Sequence, residues 1–417
     1  MQDAGEGRGF GEGYGEEFGE GKGGDGMRKG WEYKKLGEVA TFINGDRGKN
    51  YPSAKDFVES GVPFINAGHL NNGIISYDKM NYITINKYNS LGSGKIIKND
   101  ILFCLRGSLG KYAIVAEDSM GAIASSLVII RPFQNADNRF IAHFLSSAKI
   151  KEYIAKNNNG SSQPNLSAKS VASFIIPLPT LSTQLAIVSE LDKINELIRL
   201  KKEQLKDFDN LAQSLFYEMF GDPVENEKGW EVKKLKDISR EIGDGLHGTP
   251  EYSEVDTGCY FINGNNLENG TIVIKENTKM VSEKTKTKHY IEMDDFTILV
   301  SINGTLGKVA FYNGENVILG KSACYIKLEA YNDKKYIFEL LKSDYFKRCA
   351  ENECTGTTIR NVSLKSMRNF RCPLPPLPLQ RLFAQRIEQI EREKSEVQKS
   401  IQDLETLLAS RMQYWFE

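Results

Sequence analysis

The chain has 417 residues, of which 40% are hydrophobic and 26% charged, with a formal net charge of −1. That is enough for two or three domains with cores of their own. No apolar run approaches the roughly 20 residues of a membrane span and no leader pattern opens the chain, so neither a membrane span nor secretion is expected.

Six cysteines (104, 259, 324, 349, 354 and 372) are scattered. Only Cys349 and Cys354 lie close together, and no second pair or His cluster accompanies them. Free thiols of a cytoplasmic protein are expected, and no metal site. The near-neutral charge excludes little, because a balanced total can hide a local basic surface.

Residues 1–26 form a Gly/Glu-rich tail, too poor in apolar residues to fold, so disorder is expected there. Its GKGGDG string fits a dinucleotide-loop pattern, but no strand precedes it and no helix follows, so composition alone explains the match. The first 30 residues hold seven acidic and four basic side chains, leaving the remainder at +2. Deleting the tail should change neither binding nor melting temperature.

Order is expected from Gly30-Trp-Glu-Tyr-Lys-Lys-Leu onward, and at Gly229 the text returns as Gly-Trp-Glu-Val-Lys-Lys-Leu. Phe64-Ile-Asn recurs at Phe261-Ile-Asn, and Arg106-Gly-Ser-Leu-Gly-Lys at Asn303-Gly-Thr-Leu-Gly-Lys. Ser161-Ser-Gln-Pro-Asn-Leu-Ser recurs at Thr357-Thr-Ile-Arg-Asn-Val-Ser. The offset stays between 196 and 199, too long for a solenoid, so it marks a duplicated domain.

Short β-branched runs (Ile96-Ile97, Ile101 to Leu105, Tyr112 to Val115, Leu127 to Ile130) read as strands joined by turns. One amphipathic helix is expected in each half, over 139–156 and 334–351, with His143 on its apolar face.

Each half then runs through a Pro-rich approach into a long helix. Apolar or near-apolar positions recur in steps of four and three at Ile187, Leu191, Ile194, Ile198, Lys201, Leu205, Phe208, Ala212, Leu215 and Met219, a pattern broken only by Lys201. Adding 196 gives Phe383, Ile387, Ile390, Lys394, Val397, Ile401, Leu404, Leu408, Arg411 and Trp415. This is a coiled-coil seam, twice, on rods of roughly 60 Å, which most simply pack on each other.

The fold expected is α+β: two similar domains, mostly sheet with flanking helices, separated by two long helices in an antiparallel coiled coil with pseudo-two-fold symmetry. The tail is 1–26, the first domain 27–176, its helix 177–221, the second domain 222–372 and its helix 373–417. If both seams align centre to centre, Lys201 faces Lys394 and two ammonium groups share a core layer. Moving the register by a heptad sets Lys201 by Ile401 and Lys394 by Phe208, and this shifted alignment is expected.

The arrangement resembles the specificity subunit of type I restriction–modification systems over residues 27–417. The blocks that carry the resemblance are Ile176-Pro-Leu-Pro-Thr-Leu-Ser-Thr-Gln-Leu-Ala-Ile, Leu215-Phe-Tyr-Glu-Met-Phe-Gly-Asp-Pro, the Gly229-Trp-Glu-Val-Lys-Lys-Leu opening and the twin Gly-Ser/Thr-Leu-Gly-Lys turns. The resemblance implies two target-recognition domains reading a bipartite, asymmetric double-stranded DNA site. It implies partner methyltransferase subunits, two in number, that modify adenine, and restriction/translocase subunits in the full complex. S-adenosylmethionine, Mg and ATP would bind those partners, so no cofactor, metal or catalytic residue is assigned to this chain. A coiled-coil adaptor without DNA readout is the alternative.

Base readout needs hydrogen-bonding side chains on exposed loops, and phosphate contact needs Lys and Arg. The first-domain candidates are Arg47, Lys49, Arg106, Lys111 and Lys169. Those of the second domain are His247, Asn265, Asn303, Lys308 and Arg360. Arg106 and Asn303 share one repeat position, where Arg suits guanine and Asn adenine. The Ser/Thr/Asn clusters at 161–170 and 357–366 suit either phosphate contact or helix capping.

Overall fold

The computed structural model describes residues 28–71, 73–157, 164–352 and 361–417. The Gly/Glu-rich tail lies outside them. The chain divides into two compact units, 1–200 with 401–417 and 201–400.

In the first unit the opening strand Glu32–Lys35 pairs antiparallel with Ile175–Leu178. Two blocks of the repeat, Trp-Glu-Tyr-Lys-Lys and Ile-Pro-Leu-Pro, are thus the two strands that close the domain on itself. Its central sheet is antiparallel, in the order Ala40–Asn44, Leu127–Pro132, Ile101–Cys104, Tyr112–Ile114. The middle strands are apolar over 127–130 and 101–104 because both faces are covered there. Ile101, Phe103, Val128 and Ile130 pack against Phe140, Phe144, Ile187, Leu191, Trp415 and Phe416. Leu102, Cys104, Leu127 and Ile129 pack against Ile65, Leu70, Ile75 and Ile123.

The second unit repeats this plan. Glu231–Lys234 pairs with Arg371–Leu374, and the central sheet runs Ser239–Asp244, Ala323–Leu328, Thr297–Ser301, Val309–Phe311. Ile298, Val300 and Ile326 face Phe216, Phe220, Tyr336 and Phe383, while Leu299 and Tyr325 face Ile262 and Leu319.

Two expectations change. Each amphipathic helix is a pair of helices, Asn138–Ser146 with Ala148–Asn157 and Lys334–Lys342 with Asp344–Asn352. The breaks fall at Ser147 and Ser343, both extended at ψ 160° and 159°. The Ser343 hydroxyl donates to the Leu340 carbonyl at 2.6 Å and accepts from the Phe346 amide at 3.4 Å, ending one helix and starting the next. Ile96-Ile97 is not a strand: only Lys95 bridges Ala122, and Ile96 is buried by way of a loop. His143 lies at the edge of the core, its Nε2 2.7 Å from Asp192 Oδ1.

The long helices are Leu181–Phe220 and Leu377–Phe416, 40 residues each. Within the second unit Lys394 meets Asp209, and Phe383 meets Phe216 and Phe220, so the two helices run antiparallel. Within the first unit Arg411 grips Glu190 through Nε and, at 3.0 Å, through its terminal nitrogen. Both contacts belong to the shifted alignment.

Candidate nucleic-acid interface

Within each unit, strand register gathers most of that unit's candidate residues. In the first unit Val128 pairs with both Asn44 and Phe103, and Leu127 with Cys104, so three strands end or begin at one edge of the sheet. From that edge spring the loop carrying Arg47 and Lys49 and the Gly-Ser-Leu-Gly turn between Arg106 and Lys111, all four exposed. Gly107 and Gly110 adopt φ of +80° and +82°, and Gly304 and Gly307 of +78° and +73°. Only glycine enters that region without strain, which is why both copies keep the Gly-x-x-Gly spacing.

The loop of Arg47 is pinned through Asp46. Its carboxylate accepts from the Arg47 amide at 2.6 Å and the Gly92 amide at 2.7 Å. Tyr51 adds a second anchor, its hydroxyl accepting from the Ser125 amide at 3.4 Å. The turn of Arg106 is held by Cys104, whose thiol donates to the Arg106 carbonyl at 3.1 Å. Burial pushes that thiol up, keeping its proton in place.

The Ser/Asn block then closes on the turn. Arg106 forms a backbone bridge with Asn165, and Leu166 donates its amide to Leu105 at 2.8 Å. The guanidinium Nε of Arg106 donates to the Asn165 side-chain oxygen at 3.2 Å. Ser167 caps the helix Ala168–Ala172, which carries exposed Lys169 beside the same edge.

The second unit builds the same edge. Cys324 pairs with both Asp244 and Val300, and Ala323 with Ser301. Asn303 bridges Asn361, and Val362 donates to Ile302 at 2.8 Å. His247 is exposed, its ring nitrogen 2.8 Å from Asp244. Asn265 is exposed on the turn Gly264–Asn266, and the Gly264 amide is tied to Ser322 at 3.0 Å. Ser363 caps Leu364–Asn369 as Ser167 does its own helix. Ser167 and Ser363, one from each block, are therefore helix caps. Arg360 and the segments 158–163 and 353–360 lie outside the described residues.

Lys308 differs from Lys111. Its ammonium lies 3.9 Å from Glu268, whose carboxylate also accepts from Lys275 at 2.6 Å and is held below its ordinary range chiefly by that bond. Sequence reasoning missed Asn165, Asn361 and Glu268. The asparagines had a signal, since the same residue recurs at an offset of 196 inside the Ser/Thr block. Among the described residues no His/Cys/Asp/Glu group is placed to hold a metal ion, and no helix is long and apolar enough to cross a membrane.

The profile of the family described as "Type I restriction modification DNA specificity domain" matches residues 28–207 and again 227–406. The chain is 22% identical over 420 residues to the type I restriction enzyme MjaVIII specificity subunit of Methanocaldococcus jannaschii, covering 91% of this chain and 92% of that one. It is 23% identical over 405 residues to the EcoKI specificity subunit of Escherichia coli K12, covering 90% and 85%. Among solved structures it is similar in fold to a chain from a study of complex assembly and conformational transition in the type I R-M system. There the TM-score is 0.62 and the identity 19%, over 93% of this chain and 97% of the other. With two matched copies spanning most of its length, the chain belongs to the family of type I restriction–modification DNA specificity domains.

Proposed function

We propose that this chain is the non-catalytic DNA-specificity subunit of a type I restriction–modification complex. Each recognition domain reads one half of a bipartite, asymmetric site in double-stranded DNA, and the paired long helices set the gap. The chain directs adenine methylation or restriction by partner subunits: two methyltransferase subunits and, in the full complex, restriction/translocase subunits. S-adenosylmethionine, Mg and ATP belong to those partners, and the complex works in the cytoplasm.

The observation that carries this reading is one loop frame used twice with a changed residue. Arg106 and Asn303 hold the same bridged position at the sheet edge, each just before a Gly-x-x-Gly turn. A bidentate Arg selects guanine O6 and N7, and a bidentate Asn selects adenine N6 and N7. Lys111, Lys169, Lys308 and Arg360 serve as phosphate contacts, which fix register without carrying sequence information. Arg47, Lys49, His247 and Asn265 supply further readout from the neighbouring loops.

The test is a gel shift of the chain with its methyltransferase partner on pooled random duplexes, compared with the methylated-adenine map of the source genome. Enrichment of one two-part sequence matching that map is expected. Binding without sequence preference, or none, overturns the proposal in favour of an adaptor.

A further inference from the structure

We infer that Asn165 is a positioning residue that sets Arg106 to read a guanine end-on, an inference that rests on the DNA-reading role proposed above. The main chain brings the two residues together first. They form an isolated antiparallel bridge, flanked by the Leu166 amide on the Leu105 carbonyl at 2.8 Å and the Gly107 amide on the Pro164 carbonyl at 3.1 Å. The side chains then meet, Arg106 Nε donating to Asn165 Oδ1 at 3.2 Å.

A guanidinium carries five N–H donors in a rigid plane. A bond through Nε uses the edge nearest the stem. It fixes the direction of the plane and leaves the edge made by the two terminal nitrogens, neither of which bonds a described residue. That outer edge is the one whose spacing matches N7 and O6 of guanine. Arg106 is exposed and flexible along its stem, so an unbraced side chain would lose much rotamer freedom on meeting a base. Asn165 imposes part of that order beforehand.

The second unit supports the division of labour. Asn303 bridges Asn361 in the same backbone frame, with the Val362 amide on the Ile302 carbonyl at 2.8 Å. The reading residue there is short and has no long stem to steady. The frame is shared, and the side-chain brace accompanies the arginine.

The experiment uses the full chain assembled with its methyltransferase partner and a duplex set in which every base of the site is replaced in turn. Arg106→Ala should lose about 10- to 100-fold of discrimination at one guanine and leave other positions unchanged. Asn165→Ala should lose about 3- to 10-fold at that same guanine, with the salt dependence unaltered. It should add nothing further in the Arg106→Ala background. Asn165→Asp, which keeps the acceptor, should restore discrimination, and melting temperatures measured alongside should stay level. A normal profile for Asn165→Ala, a uniform weakening across all positions, or a loss that persists in Asn165→Asp overturns the positioning role while Arg106 keeps its own. Uniform weakening by Arg106→Ala with a shallower salt slope overturns the base-reading role itself.

Discussion

The ammonium of Lys394 lies 2.9 Å from the carboxylate of Asp209 across the pair of long helices, one residue along from Phe208. That contact decides between two registers that the heptad pattern alone leaves open. Lys201 turns instead to Gln204 on its own helix, at 3.3 Å. Burial is the largest influence on Lys394 and pulls its pKa down. The bonds to Asp209 and Glu391 outweigh it, so the pKa is raised and the group stays charged.

Because Asp209 is 59% exposed and Lys394 only 23%, the pair itself contributes little. Asp209→Ala should cost less than about 1 kcal/mol. Lys394→Met, which places an apolar residue in an apolar seam, should be neutral or stabilising. Denaturant midpoints of the two variants check this. A large loss for Lys394→Met would mean that the ion pair, and not seam packing, fixes the register.

Gln184 and Gln380 explain why each Pro-rich approach ends in glutamine. Both are almost fully buried, at 0% and 3% exposure. Gln184 accepts from the Asp137 amide at 2.9 Å and donates to the carbonyls of Pro179, at 2.9 Å, and Asn135, at 3.1 Å. Gln380 accepts from Asp333 and donates to Pro375 in the same way. Each therefore clips the start of a long helix to the capped helix of its own domain. Gln184→Ala should cost about 2–3 kcal/mol, since it strands buried backbone groups. Gln184→Glu should cost a similar amount, because a carboxylate cannot donate to the two carbonyls. Thermal unfolding of both variants is the check, and equal stability to the parent would rule the clip out.

Glu339 takes, six residues beyond the Asp333 cap, the place that His143 holds beyond Asp137. His143 has Asp192 at 2.7 Å, whereas among the described residues Glu339 has only Lys342 as an ionic partner, at 3.9 Å, and it lines a groove of about 830 Å³. Burial pushes its carboxyl up, and the negative charges of Glu391 and Asp209 add to that, against Lys342 and Lys394. A carboxyl raised in the folded state binds its proton more tightly there than in the unfolded chain. Its contribution to stability therefore falls as pH rises from about 4.3, the ordinary value for Glu, through the raised folded value. Glu339→Gln should accordingly stabilise the protein at neutral pH, with the gain vanishing below about pH 4. A gain independent of pH would point to packing instead of charge.

The long helices and the strand cores were readable because each rests on periodicity, which is local, and the repeat because whole blocks of residues recur at a near-constant offset. The Gly-x-x-Gly turns were equally readable, since left-handed backbone restricts the residue choice. What stayed hidden needed long-range pairing. Asn165 meets Arg106 across 59 residues, and Glu268 reaches Lys308 across a hairpin neither strand announces. The helix breaks at Ser147 and Ser343 were hidden for another reason: the apolar pattern runs straight through them, and only backbone geometry marks the stop.

The Glu268 carboxylate has no acidic counterpart in the first unit. Leu70-Asn71 and Leu267-Glu268 are matching strands of matching hairpins, so the position that holds Glu268 in the second unit holds neutral Asn71 in the first. Lys308 therefore shares an anion with Lys275, while exposed Lys111 follows its turn without a carboxylate at the equivalent place. A lysine already neutralised by the protein releases less counterion from DNA than an unneutralised one. Lys111→Ala should thus weaken binding to all sequences and reduce the slope of log K against log salt by about 1. Lys308→Ala should change the slope less. Glu268→Gln should do the reverse of either, raising affinity for cognate and random DNA alike and steepening the slope, because it frees two ammonium groups for phosphate. Salt titrations of the three variants on one duplex measure all of this. If Lys308→Ala matches Lys111→Ala, or Glu268→Gln leaves random-sequence affinity unchanged, Glu268 does not restrain the second domain's grip on the backbone.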